Sequence, residues 1–114
     1  MARYEDFSAG QIRVTGFTGI SEAAATPITG IVVYTPSLTP ASVATITVAE
    51  QTFTVTGLTT ADKVIVNPPS IATAVGLAGV RVSAADTLAI RFVNPTAGAL
   101  VPTAGVYIVI AIRS

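Results

Sequence analysis

The chain contains no cysteine, no histidine and no tryptophan. Without cysteine there are no disulfides, no thiolate zinc sites and no thiol nucleophile. Without histidine, the commonest metal ligand and the commonest general base are both missing. Charge is scarce: Asp, Glu, Lys and Arg make up 11% of the residues, against about 25% in an ordinary soluble domain. Six basic and six acidic residues cancel, so no net field steers the chain toward nucleic acid or anionic lipid. Long apolar runs are absent too. Stretches such as Val106 to Ile112 fall far short of the roughly 20 residues that cross a bilayer as a helix. The N-terminal Met1-Ala2-Arg3-Tyr4-Glu5-Asp6 lacks the basic start and apolar stretch of a secretory leader. The expectation is a chain made in a cytoplasm and not exported by a cleaved signal.

What is present is apolar and β-branched. Hydrophobic residues make up 51% of 114 residues, enough for one domain with its own core and too few for two. A neutral monomer with so little charge is a poor colloid. Concealing much of its surface in an assembly would resolve that.

Read along the chain, residues 1–27 form an arm with both signs of charge, Gly10, Gly16 and Gly19, and no sustained period. Within it, Gln11 to Thr15 reads as a short strand and Ser21 to Ala25 as one helical turn before Pro27. The arm either frays or orders on a neighbour with Phe7 or Phe17 as anchor. Residues 28–114 read as the folded domain. Ile28 to Tyr34 is a strand, and Pro36 and Pro40 fence a loop from Thr35 to Ala41, since proline resists both helix and central strand. Val43 to Thr56 is strand-like, with Thr52, Thr54 and Thr56 alternating with Phe53 and Val55. Ala49-Glu50-Gln51 breaks that pattern, which predicts a bulge or bend. Short strands follow at Lys63 to Val66 and Val80 to Ser83, separated by a loose stretch from Ile71 to Gly79. In Thr87 to Val93, Leu88, Ile90 and Phe92 share one face and Ala89, Arg91 and Val93 the other. The last strand puts Val106, Ile108, Ile110 and Ile112 on one face and Tyr107, Val109, Ala111 and Arg113 on the other. Seven to eight short strands with Gly/Pro-rich connections predict an all-β fold, a single antiparallel β-sandwich or jelly-roll-like barrel with an extended N-terminal arm. A short echo runs through it. Ala61-Asp62 leads to Asn67-Pro68, and Ala85-Asp86 leads to Asn94-Pro95. It reads as similar turn chemistry used twice, with a duplicated half-domain as the other reading.

Candidate chemistry is thin. Glu5 and Asp6 are adjacent in the arm, with nothing to hold them at the fixed separation that acid–base work needs. Asp62 and Asp86 open strands, where a carboxylate caps a turn. A calcium site between them would want more carboxylates at close spacing. The many Ser and Thr hydroxyls have only Lys63 as a base. Gly76-Leu77-Ala78-Gly79 lacks the lysine and the helix of a phosphate loop. The expectation is no catalysis, no cofactor and no metal. The basic residues are scattered and form no phosphate-tracking groove. Arg81, Arg91 and Arg113 fall on strands that would be neighbours and line one face. They form either a solvated row whose stems cover apolar surface or inter-subunit pairs with a carboxylate such as Glu50 or Asp86. Phe7, Phe17, Arg81, Arg91 and Arg113 are the interface candidates. Tyr34 and Tyr107, set among β-branched residues, read as core. Aromatics at 6% make a poor carbohydrate platform.

Two segments carry a family likeness. The stretch from Val82 through Asp86-Thr87-Leu88-Ala89-Ile90-Arg91-Phe92-Val93-Asn94-Pro95-Thr96, followed by Ala104-Gly105-Val106-Tyr107 and a strand ending in Arg113, resembles the β-rich ending of small structural proteins of tailed bacteriophages. Glu50 to Asp62 and Val64-Ile65-Val66-Asn67-Pro68-Pro69 are similar to the same group. The resemblance covers roughly residues 50 to 114 and implies a virion component made in the host cytoplasm. Such a component is commonly a homotrimer, binds the major capsid protein, and uses no catalysis, cofactor, nucleic acid or membrane. The small size favours a capsid decoration (cement) protein over the alternative, the tip or receptor-binding domain of a head or tail fibre.

Overall fold

The computed structural model describes residues 26–70 and 74–114. The expected arm strand, the helical turn and the anchors Phe7 and Phe17 lie outside these residues. Within them the chain is all-β, with eight strands: β1 Gly30–Tyr34, β2 Ser37–Leu38, β3 Thr47–Thr54, β4 Lys63–Asn67, β5 Gly76–Ala84, β6 Thr87–Asn94, β7 Gly105–Val106 and β8 Ile108–Arg113. They form three antiparallel sheets ordered β1-β8-β4, β2-β7 and β3-β6-β5. The arrangement is sandwich-like, as the alternating patterns and turn residues predict.

The core lies between the central strands of the two larger sheets. β6 contributes Leu88, Ile90 and Phe92, and β8 contributes Val109 and Ala111, with Tyr107 just before it. Val82, Leu38, Val43, Val55, Leu58 and Val75 close the rim. Each large side chain buried here stabilises the fold by about 1.5–3 kcal/mol. Tyr107 is buried because its one polar atom is satisfied: the hydroxyl donates to the Thr103 carbonyl at 2.7 Å. Desolvation raises its pKa.

Several local expectations change. The bulge predicted at Ala49-Glu50-Gln51 is absent, and Thr47 to Thr54 pairs with Asn94 to Thr87 without a register shift. Alternation absorbs both polar residues. Glu50 points outward, and Gln51 accepts from the Ala41 N–H at 2.8 Å and donates to the Ala41 carbonyl at 2.9 Å. Its amide thus imitates a strand and ties the Pro40-Ala41 loop to the edge of β3. The irregularities fall in β5 instead, between Leu77 and Gly79 and between Val82 and Ala84. β5 also begins at Gly76, inside the stretch read as loose, because Gly76 and Leu77 find partners in Val93 and Phe92. The fenced loop holds the two-residue strand β2. The long strand read from Val43 begins only at Thr47, since Val43 makes an isolated bridge to Leu100.

Between them stands Ile46, in a left-handed conformation with φ 45° and 77% exposed. Its N–H donates to Thr96 O at 3.1 Å, and the Thr45 hydroxyl donates to the same carbonyl at 2.6 Å. A β-branched residue pays about 1–2 kcal/mol for this backbone. Ile46→Asn, which tolerates the conformation and removes exposed apolar surface, is therefore expected to raise stability by about 1 kcal/mol. An unchanged or lower urea midpoint would show that the backbone here is not strained.

Candidate functional site

Each large sheet turns one face to the core and one outward, and the two outward faces differ in chemistry. On the β3-β6-β5 sheet the outward residues are mostly polar or small, Thr52, Thr54, Glu50, Arg91, Arg81 and Gly79 among them, with Val48 as an exposed apolar member. Arg81 reaches across the central strand to Glu50, with Nε to Oε2 at 3.1 Å and Nη2 to Oε1 at 2.8 Å. It passes over β6, where Ala89, its register partner, is fully covered. A larger side chain at 89 would block that crossing. Arg91 stands directly opposite Glu50 in the ladder, with Nη2 3.6 Å from Oε2, too long for a hydrogen bond. The Arg81 hydrogen bond holds the Glu50 carboxyl below its usual range. Burial opposes this, and the charges of Arg81 and Arg91 add to it. The three side chains border an open depression of about 190 Å³ beside Gly79 and Val80. One carboxylate faces two guanidinium groups, so the spot carries one net positive charge.

Arg113 does not join this row. It ends β8 in the other sheet, on the strand's core-side parity, and lies at one end of the sandwich. Its Nε donates to Asp62 Oδ1 at 3.1 Å, and its Nη2 donates to Asp62 Oδ2 at 3.3 Å, Tyr34 Oη at 2.9 Å and Gly57 O at 2.9 Å. Asp62 is nearly buried and also accepts from the Thr59 N–H at 3.1 Å, the turn-capping role expected of it. Burial pushes its pKa up, but the Thr59 hydrogen bonds and Arg113 together outweigh that and leave it lowered. Gly57 is obligatory here. Its φ is +106°, and an added Cβ would lie 2.8 Å from the Tyr34 hydroxyl. The cluster locks the last strand to β1 and to the 57–62 turn. The three arginines expected on one face are thus split between a surface pair and a structural clasp, and all three have carboxylate partners within the chain.

The repeated Asp…Asn-Pro motif is likewise two different things. Asp86 is exposed with φ 58° and accepts from the Gly57 N–H at 2.8 Å, whereas Asp62 is buried and ion-paired. Asn94 is fully buried and makes four side-chain hydrogen bonds, whereas Asn67 is exposed. Similar turn residues were used twice in unlike surroundings. Among the described residues no buried side-chain nitrogen or oxygen lacks a partner, and no group of three or more acidic residues is placed to hold a metal.

The outward face of the β1-β8-β4 sheet is centred on a strand, β8, that the sequence marks as nearly uncharged on both sides. Cross-strand pairing sets Ile112 between Ile31 and Lys63, and Ile110 between Val33 and Ile65. Ile108 follows on the same side, beside Asn67. Ile31, Val33, Ile65 and Ile108 are all exposed. Alternation revealed the two faces of β8 but not which one turns outward. Family models, curated proteins and solved structures were all compared with the chain, and none matches it.

Proposed function

We propose that this protein is a structural adhesive of a phage particle, a capsid decoration protein that holds the head together by protein–protein contact and catalyses nothing. The observation that carries this reading is the outward β1-β8-β4 face, a row-by-row apolar surface with Lys63 as its one charged residue. Apolar patches of this extent mark interaction sites on folded proteins. The scarcity of charge over the whole chain and the likeness of residues 50–114 to small virion proteins support it. A ligand that favours the assembled shell stabilises it by mass action, and an interface of about 1,600 Å² is enough for specific binding. The bound form is a homo-oligomer, a trimer by the same likeness, seated on the major capsid protein with the residue 1–27 arm laid over a neighbouring subunit.

Purified protein is expected to bind emptied, tail-free heads and to raise the temperature at which they rupture. Deleting residues 1–20 should weaken that binding about tenfold or more. Full occupancy by the deletion variant would remove the arm from the mechanism, and failure of the intact chain to bind heads would remove the mechanism itself.

A second reading, the receptor-facing tip of a fibre, draws on the depression beside Arg91. The Arg91 side chain is 54% exposed, and its contact with Glu50 is long. Its guanidinium donors suit the carboxylate of an acidic host-surface sugar. Binding of the purified protein to host cells, lost in Arg91→Ala, would favour this reading over decoration.

A further inference from the structure

We infer that the outward face of the β1-β8-β4 sheet is where copies of this chain meet one another. The inference rests on the adhesive reading above and names the contact from which it starts. Three observations point to a second copy as the occupant. The first is area. Ile31, Val33, Ile65 and Ile108, backed by the partly covered Ile110 and Ile112, present on the order of 500 Å² of apolar surface. Two such faces together remove about 1,000 Å² from water, the threshold for a specific interface. The second is charge. The chain has no net charge, so copies approach without repulsion, and the face holds no carboxylate that would be desolvated unpaired. Its one charged group, Lys63, sits at the margin in β4, one of the sheet's two edge strands. The third is shape. Isoleucine and valine on a pleated surface interdigitate with a like surface when sheets pack about 10 Å apart. A face that is β-branched except for Lys63 and Asn67 on β4 is therefore largely complementary to itself. Turned toward a symmetry axis, it covers itself in two or three copies.

The opposite sheet serves as the internal control. Its outward face carries Thr52, Thr54 and the Arg81–Glu50 pair, groups that stay hydrated, beside the exposed Val48, and no contact between copies is assigned there.

The test is sedimentation of the full chain at micromolar concentration, alone, beside two variants. Val33→Lys with Ile65→Lys alters only outward side chains of β1 and β4. Thr52→Lys makes the same kind of change on the other sheet. Circular dichroism and melting at a concentration where every form is dissociated establish that the variants fold. The unmodified chain is expected to sediment as an oligomer. The double variant should dissociate at least about tenfold more readily, and Thr52→Lys should behave as the unmodified chain. A monomeric unmodified chain at about 100 μM overturns the inference and gives the face to another occupant. So does a folded double variant that assembles normally. Head binding, measured on the same samples, separates this from the broader reading. Oligomers that ignore heads sink the decoration role alone, and monomers that still bind heads sink the self-contact alone.

Discussion

Replacing Arg113 with methionine is expected to lower the melting temperature by more than about 10 °C at neutral pH. Methionine keeps the apolar stem and removes every donor. Asp62 then retains a carboxylate that is 2% exposed with only the Thr59 interactions to hold it, while Tyr34 and the Gly57 carbonyl also lose a partner. A buried charge stripped of its partner is among the costliest single changes a small domain meets. The pH dependence gives a signature that plain loss of packing would not. In the intact protein the Asp62 pKa is lowered on folding. Its contribution is therefore fully present above the ordinary carboxylate range and is lost as pH falls through the folded value. Without Arg113 the penalty belongs to the ionised carboxylate, so protonation relieves it. The gap between the two proteins should narrow toward about pH 3. The second change Asp62→Asn should recover part of the loss at neutral pH. A gap of the same size at both pH values, or no gap, would mean that the clasp does not secure β8.

Asn94→Asp is expected to cost roughly 3 kcal/mol or more at neutral pH. The substitution preserves shape, so the whole effect lies in one atom. In the native protein the Asn94 amide nitrogen donates to Val43 O at 3.0 Å and Gly98 O at 2.8 Å, while its oxygen accepts from the Thr96 N–H at 2.9 Å and the Thr96 hydroxyl at 2.7 Å. Aspartate would aim a charged oxygen at two carbonyl oxygens in a site with no water-facing side, and both Val43 O and Gly98 O would lose this donor. The 94–100 loop and the Val43–Leu100 bridge depend on this side chain, so damage should spread to the start of β3. The control is Asn67→Asp, which makes the same chemical change at the matching place in the repeated motif. Asn67 is exposed, and the change there should stay within about 0.5 kcal/mol. Urea denaturation of both variants decides the matter. Equal losses would mean that burial does not distinguish the two asparagines.

Those two asparagines also show where sequence reasoning stops. A residue type before proline predicts the end of a strand, and both positions close one. Whether the side chain becomes a buried hub depends on which loops pass over it, and Val43 lies 51 positions away from Asn94. The same limit applies to the arginines. Their positions on strands were legible, but neighbourhood in the chain does not say which strands share a sheet. Pairing of β8 with β1 and β4 carried Arg113 away from Arg81 and Arg91. Glu50 became the partner of Arg81 and Arg91 only because β6 lies between β3 and β5. The predicted bulge failed for a related reason. A polar Glu50-Gln51 pair looks like an interruption until cross-strand arginines and a neighbouring loop are there to receive it.

Composition and period alone determined the class of this protein: all-β, sandwich-like, with short strands punctuated by proline and glycine. Local backbone preference and two-residue alternation are properties of neighbours in the chain. Which face of the last strand turns inward was decided only by the tertiary structure, and against simple hydrophobicity. Tyr107, Val109 and Ala111 fill the core, and Ile108 faces outward with Ile110 and Ile112 beside it. The inward set includes a tyrosine whose hydroxyl reaches Thr103, a small residue that fits against the facing sheet, and an arginine that reaches Asp62. Those partners are brought together only by folding, because alternation marks two faces without saying which of them the rest of the molecule is shaped to receive.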